Sequence, residues 1–274
     1  MSLHTTSNDD ISHSKPSPHC FCSYIPVLHY AIFHNPDPLS KVFGIEKGTI
    51  RIRNGPLDGQ LPQDEITHKM AEQLSLYGGA ISTIIPRSIK PHLVDVSHIR
   101  QIPDTQEVYI VQDTRSNAKF DKSLIFDLLE RVPDQKYEDA IAIHLQDIVE
   151  SDEPATNHFI EAVEKSSDGS SNSQVVVNFS FIQHKNTRRD AKEEDSPVSV
   201  ITFIALLRLE TVETDVLITL NVPLSHNVDA EEFLKYLGSS GDVNEVLEEL
   251  KTDYLIFRDV GYNYVVEDWG LFGM

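Results

Sequence analysis

Cysteine is nearly absent from this sequence, and its scarcity limits the available chemistry. The chain has 2 cysteines in 274 residues, Cys20 and Cys22, and none afterwards. The long remainder therefore has neither a disulfide framework nor a cysteine nucleophile, which favours a reducing intracellular compartment. Two cysteines one residue apart, even beside His19, lack the usual ligand spacing of a metal site. We expect no bound metal and no cofactor.

Positive charge is also scarce. The chain has 23 Lys and Arg against 43 Asp and Glu, a formal net charge of -20, and its pI is near 4.9. Residues 1–70 are almost neutral, so the acidity belongs to the part that follows them. A strongly negative surface repels phosphate groups, so direct binding to nucleic acid or to anionic membranes is not expected. The natural complement is a partner with a basic surface.

Long apolar runs are missing as well. Residues 24–33 are interrupted by His29 and follow no basic segment, so they neither span a bilayer nor resemble a signal peptide. Residues 1–69 have no sustained apolar period. We predict a soluble protein with a poorly structured extension over residues 1–69 and one domain over residues 70–274. Met70 is also a candidate natural start, in which case the extension is an artefact of gene prediction.

The signatures of common enzymes are not found. There is no glycine-rich phosphate loop, no nucleophile elbow and no His-Glu-x-x-His zinc motif. His144 and Asp147 lie three residues apart on a predicted helix and could share a face. Such a pair makes no active site without a nucleophile or oxyanion donors, and a partly buried histidine with a solvated aspartate is the more ordinary interpretation. We therefore expect a protein that is not an enzyme.

Strands are predicted from β-branched and alternating runs. They lie at residues 80–85, 107–112, 175–183, 198–209 and 215–222. The last two form a hairpin across a short turn, and we expect its core to include Phe203, Leu207, Leu217 and Leu220. Polar and charged stretches within residues 164–197 predict mobile loops on either side of one strand.

Helical spacing predicts the remaining elements. The predicted helices lie at residues 123–132, 137–149, 230–237 and 243–250. Strands in runs, with helices gathered before and after them, favour an antiparallel sheet over alternating strand-helix-strand units. The sequence thus predicts an α+β fold with a central antiparallel β-sheet flanked by helices.

The predicted helix at residues 123–132 is informative because of its charges. At about 100° per residue its leucines form one apolar stripe, which places Asp127 and Glu130 together on the opposite, exposed face. Phe126 projects near the edge of that face, and an aromatic side chain beside charges is common at interfaces. An ordinary solvated helix face is the alternative, since most amphipathic helices carry such charges. Either way, the acidic face is expected to be dispensable for folding.

Several segments, in fixed order, resemble the Ran guanine-nucleotide release factors of the MOG family. They are Leu-Tyr-Gly-Gly-Ala-Ile at 76–81, Pro-Asp-Thr-Gln-Glu-Val at 103–108, Ser-Leu-Ile-Phe-Asp-Leu-Leu-Glu at 123–130, Ala-Leu-Leu-Arg-Leu at 205–209 and Thr-Asp-Val-Leu-Ile-Thr-Leu-Asn-Val-Pro at 214–223. The resemblance implies an α/β/α sandwich similar to the PsbP fold. It also implies a nuclear import factor of the nucleus and cytoplasm that binds the small GTPase Ran and promotes loss of its nucleotide. We expect the protein to be monomeric.

The resemblance also implies a Ran-facing surface in the second and third of these segments. The candidate Ran-binding residues are Asp104, Glu107, Phe126, Asp127 and Glu130. The glycine pair of the first segment is expected to serve a tight turn or a close backbone approach, and not a ligand contact. Two alternatives stay open: an acidic adaptor that binds a trafficking or membrane-protein partner without acting on Ran nucleotide, and a carboxylate-based hydrolase.

Overall fold

A computed structural model describes seven stretches of the chain. They are residues 71–112, 119–133, 136–148, 156–166, 174–185, 196–238 and 244–273. The extension predicted over residues 1–69 lies outside them, as do parts of the loops predicted within residues 164–197. No helix in the described stretches is long and apolar enough to cross a membrane.

The described strands form two antiparallel sheets. Their bounds are β1 Ala71–Leu76, β2 Ile81–Pro86, β3 Leu93–Asp95, β4 Gln106–Val111, β5 Lys122–Glu130, β6 Asn157–Ser166, β7 Gln174–Lys185, β8 Ser199–Leu209, β9 Thr214–Leu224 and β10 Val265–Val266. Among the described residues, the large sheet has 7 strands in the order β3-β4-β5-β9-β8-β7-β6. The small sheet has the order β1-β2-β10.

The hairpin of β8 and β9 lies in the middle of the large sheet. A 3₁₀ turn, Glu210–Val212, joins its two strands. Both strands are buried on both faces, which explains their nearly continuous apolar sequences. The predicted hairpin is confirmed, and so is the burial of its predicted core residues, Phe203, Leu207, Leu217 and Leu220.

Helices cover both faces of the large sheet. The described helices are α1 Tyr137–Ile148, α2 Ala230–Leu237 and α3 Glu245–Tyr262. α2, α3 and the small sheet enclose the main core on one face, where Phe203 packs between Phe233 and Phe257. α1 covers part of the other face, where Ile141 belongs to a second apolar cluster with Leu206. The predicted antiparallel α+β fold flanked by helices is therefore confirmed.

The helix predicted over residues 123–132 is wrong, because most of these residues form β5 between β4 and β9. Leu124 and Phe126 belong to the main core, whereas Ile125 belongs to an apolar cluster on the opposite face. Because both faces of this central strand are buried, apolar residues occupy nearly every position and imitate helical spacing. Burial on two sides, and not local periodicity, explains this run of apolar residues.

The other predicted elements agree better with the structure. Strands β2, β4 and β7 and helices α1 and α2 lie at their predicted positions within a few residues. The helix predicted at residues 243–250 continues to Tyr262. Strands β1, β3, β6 and β10 have no predicted counterpart. β6 is an edge strand of mixed polarity, and edge strands commonly carry charged residues that weaken the apolar pattern.

Candidate functional site

A strained turn joins β1 to β2 at Tyr77–Gly79, called the Tyr77 turn below. Tyr77, Gly78 and Gly79 have φ angles of 49°, 67° and 100°. Glycine adopts such angles without a side-chain clash, so the predicted tight turn of the glycine pair is confirmed. A tyrosine adopts the same left-handed conformation only where its surroundings enforce it. The contacts of Tyr77 therefore identify what holds the turn in place.

Tyr77 ties this turn to two other segments of the chain. Its hydroxyl group lies 2.9 Å from the carbonyl oxygen of Thr105 and 3.0 Å from that of Phe126, and shares its single proton between these two acceptors. Its backbone N–H donates to the carboxylate of Glu107. The other oxygen of that carboxylate accepts a hydrogen bond of 2.7 Å from the Tyr109 hydroxyl. The Gly-Gly turn, the Pro-Asp-Thr-Gln-Glu-Val segment and β5 thus meet around one tyrosine.

The groups around Tyr77 are acidic. Burial raises the pKa of the Tyr77 hydroxyl above its ordinary value, and Tyr264, Asp127 and Glu107 add to the rise. Burial also raises the pKa of the Tyr109 hydroxyl, aided by its hydrogen bond to Glu107. Both hydroxyl groups therefore stay protonated at neutral pH and act as hydrogen-bond donors. The Tyr77 hydroxyl holds backbone carbonyl groups of the site in place, and the Tyr109 hydroxyl holds the Glu107 carboxylate.

Asp127 lies on the face of β5 opposite to Phe126, across from Gln106 of β4. It is only 2% exposed, and its Oδ1 atom has no hydrogen-bond partner among the residues that the structure describes. Burial raises the pKa of this carboxyl from 3.8 to about 7, although a hydrogen bond from Gln106 opposes part of the rise. A buried, poorly paired carboxylate is unfavourable when charged, so Asp127 titrates near neutral pH.

The predicted acidic face of Asp127 and Glu130 is wrong in its geometry. Residues three positions apart in a strand point to opposite faces, so these carboxylates do not share one surface. Asp127 is buried, and Phe126 is fully buried with its ring packed edge-to-face against a neighbouring tyrosine. Asp104 and Glu130 are exposed, and Glu107 is half-buried. The exposed acidic candidates therefore lie just before β4 and at the end of β5.

A buried ion-pair network lies just beyond Glu130 and has no counterpart in the sequence predictions. Asp215 of β9 is fully buried, and its two oxygens lie 2.9 Å from His144 Nε2 of α1 and 2.9 Å from Arg208 Nε of β8. The backbone N–H of Val132 also donates to Asp215 at 3.2 Å, and Arg208 donates to the Val132 carbonyl oxygen. The network holds the chain where it leaves β5.

Charge pairing explains why this network is stable inside the protein. Burial raises the pKa of the Asp215 carboxyl, but the hydrogen bonds from His144 and Arg208 outweigh burial and leave the pKa below its ordinary value. His144, considered with Asp147 for acid/base chemistry, therefore has a buried structural partner, while the side chain of Asp147 lies outside the described residues. The sequence does contain a signal for this network, because Asp215, Arg208 and His144 are polar residues within apolar runs. Buried charges are paired, so polar residues in such runs indicate partners inside the protein.

Comparison with known proteins identifies the family. The family described as "Ran-interacting Mog1 protein" matches residues 74–223, which is more than half of the chain. The chain belongs to this Mog1 family. The matched region includes Tyr77 and the three segments that meet around it. The described residues contain no group of His, Cys, Asp and Glu side chains suited to hold a metal ion.

Individual curated relatives are similar to this chain in sequence. The nuclear import protein MOG1 of Saccharomyces cerevisiae is 33% identical over 160 residues, covering 56% of this chain and 67% of that protein. The Ran guanine nucleotide release factor of Danio rerio is 28% identical over 206 residues, covering 72% of this chain and 98% of that protein. The Ran guanine nucleotide release factor of Homo sapiens is 31% identical over 153 residues, covering 56% of this chain and 76% of that protein. The crystal structure of the S. cerevisiae Ran-binding protein Mog1p has 25% identity and a TM-score of 0.47, covering 73% of this chain and 97% of that one.

Proposed function

We propose that this chain binds the GTPase Ran and promotes release of its guanine nucleotide, in support of protein import into the nucleus. The observation that carries the proposal is the meeting of three family segments around Tyr77, beside exposed acidic residues. The names of the Mog1 relatives supply the partner. In this proposal the protein is a monomeric, non-catalytic regulator of the nucleus and cytoplasm, and it contacts neither nucleic acid nor membrane.

The five candidate residues take different roles in this proposal. Asp104 and Glu130 contact Ran directly, because both are exposed. Glu107 holds the Tyr77 turn through its carboxylate. Phe126 and Asp127 are buried in β5 and support the site from within the sheet. The proposed surface that contacts Ran therefore includes two of the five candidate residues, and the other three support it.

Competition for positive charge is the proposed route to nucleotide release. A GTPase holds a polyanionic nucleotide and Mg²⁺ with basic and metal-binding groups. A net charge of -20 draws this chain toward a basic surface. By linkage, a protein that prefers nucleotide-free Ran lowers nucleotide affinity by the same factor, about 5- to 150-fold for a coupling of about 1–3 kcal/mol. The chain itself breaks no covalent bond.

Charge reversal at Glu130 tests the proposed surface. An exposed ion pair contributes about 0.2–1 kcal/mol, and reversal adds repulsion, so Glu130→Lys should weaken binding to nucleotide-free Ran about 5- to 30-fold at low salt. The effect should shrink in salt, because the screening length falls from about 10 Å at 0.1 M to about 3 Å at 1 M. Glu164→Lys, an exposed glutamate on the edge strand β6, is the matched control. Circular dichroism checks that both variants are folded.

Binding and mant-GDP release are measured together, because they separate the candidate functions. Weaker binding and slower release with Glu130→Lys, but not with Glu164→Lys, is the expected result. Ran binding without faster nucleotide release would favour the acidic adaptor instead. A wild-type chain that binds neither GTP-loaded, GDP-loaded nor nucleotide-free Ran would refute the partner. A folded Glu130→Lys protein with wild-type release would place the Ran surface elsewhere.

A further inference from the structure

The C-terminal turn, Trp269–Phe272, lies directly beside the Tyr77 turn. The backbone N–H groups of Glu267 and Asp268 both donate to the carbonyl oxygen of Ala80, at 2.9 and 3.0 Å. Ala80 closes the Tyr77 turn, because its own N–H donates to the Tyr77 carbonyl oxygen at 3.3 Å. The C-terminal turn is thus hydrogen-bonded to the Tyr77 turn, which organises the candidate site.

Local hydrogen bonds and packing preform the C-terminal turn. Asp268 caps it, since its Oδ1 atom accepts a hydrogen bond of 2.8 Å from the backbone N–H of Gly270. Gly273 closes it with a φ angle of 77°. The rings of Trp269 and Phe272 lie 5.9 Å apart and pack against the edge of the main core. A preformed surface loses little conformational entropy when a partner binds.

The outer side of this turn is apolar and has an acidic border. Leu271 is 37% exposed, which places it among the most exposed large apolar side chains of the described residues. Trp269 and Phe272 beside it are half-buried, whereas Glu267 and Asp268 are exposed. Aromatic and apolar anchors inside a polar border are typical of the residues that dominate binding at protein interfaces.

We infer that the C-terminal turn is the apolar anchor of the Ran-binding surface, an inference that rests on the proposed function. Ran is the occupant because the turn is continuous with the candidate site through Ala80 and its border carries the same negative charge. The acidic residues steer the encounter with a basic partner, but exposed ion pairs contribute little affinity. Leu271 and the exposed edge of Trp269 supply the apolar contact that a stable complex requires.

Leu271→Ala tests this anchor and leaves the packed rings of the turn in place. We expect it to weaken binding to nucleotide-free Ran about 5- to 20-fold. The loss should be the same at low and high salt, because the missing contact is apolar and is not screened. Val176→Ala is the matched control, since Val176 is 40% exposed on β7, toward the other edge of the large sheet. Full-length proteins are used, and thermal melting compares their stability.

A second measurement needs no substitution in the turn. The chain has 1 tryptophan, Trp269, so incorporation of 5-fluorotryptophan gives one ¹⁹F resonance from the turn. Unlabelled nucleotide-free Ran should shift or broaden this resonance, with the same concentration dependence as binding. This readout stays informative even if Leu271→Ala lowers the stability of the protein.

The outcomes separate this inference from the proposed function. An unchanged resonance at saturating Ran would overturn the inference, as would a Leu271→Ala protein that binds as tightly as Val176→Ala. Either result leaves the proposed function standing if Glu130→Lys still loses binding. A wild-type chain that fails to bind Ran would overturn both.

Discussion

Asp127→Asn is expected to remove a pH-dependent loss of stability from this domain. The Asp127 carboxyl is buried, and one of its oxygens has no hydrogen-bond partner in the part of the chain that the structure describes. Burial raises its pKa from 3.8 to about 7. In the unfolded chain this carboxyl loses its proton near pH 3.8, whereas in the folded protein it keeps the proton up to about pH 7. The folded state thus binds more protons between these values, so stability falls as pH rises through that window.

The magnitude follows from the difference between the two pKa values. That difference is about three pH units, and each unit corresponds to about 1.4 kcal/mol, so the charged carboxylate costs the folded state about 4 kcal/mol. Solvent screening reduces this value little, because Asp127 is only 2% exposed. Asparagine has a similar shape and can still hydrogen-bond to Gln106, but it carries no charge. The stability of the variant relative to wild type should therefore rise by about 4 kcal/mol between about pH 4 and about pH 8.

Urea unfolding of both proteins at successive pH values measures this difference. The pH-dependent contributions of groups that both proteins share cancel in this comparison. One such group is Lys165, because burial lowers the pKa of its amine to about 7. A difference that stays constant over the whole pH range would refute the reasoning. Asp127→Lys should destabilise the protein, because it places an amine where the side chain is buried. This expectation replaces the sequence-based one, in which the Asp127 carboxylate is dispensable for folding.

The core, the ion-pair network and the domain boundary each give one further prediction. Leu217→Ala should lower the unfolding free energy by about 2–5 kcal/mol in a urea titration, because Leu217 is 1% exposed. Asp215→Asn should cost about 3–5 kcal/mol at neutral pH, because it removes the buried negative charge that lies 2.9 Å from Arg208 Nε. The pKa of Asp215 is lowered, so its contribution is lost as pH falls through the folded value, and the gap to wild type should narrow in acid. A chain that begins at Met70 should keep the wild-type melting temperature and Ran binding; loss of either would make the extension part of the domain.

The sequence is sufficient for elements whose local pattern agrees with their place in the fold. The β8–β9 hairpin is predictable because its runs are apolar, β-branched and joined by a short turn. Helices α1 and α2 are predictable because their apolar residues recur at helical spacing. The resemblance in five ordered segments also predicts the family, and with it five candidate residues, of which only Asp104 and Glu130 are exposed in the structure.

The tertiary structure decides whatever depends on neighbours distant in the chain. β5 is a strand because β4 and β9 pair with it on both sides and both its faces are covered, which local spacing does not reveal. The same burial encloses Phe126 and Asp127 and separates Asp127 from Glu130. The contacts of Tyr77 with β4 and β5, and of the C-terminal turn with Ala80, likewise join remote segments. Such pairings stay undetermined by local sequence because burial and hydrogen-bond partners are set only when the chain is folded.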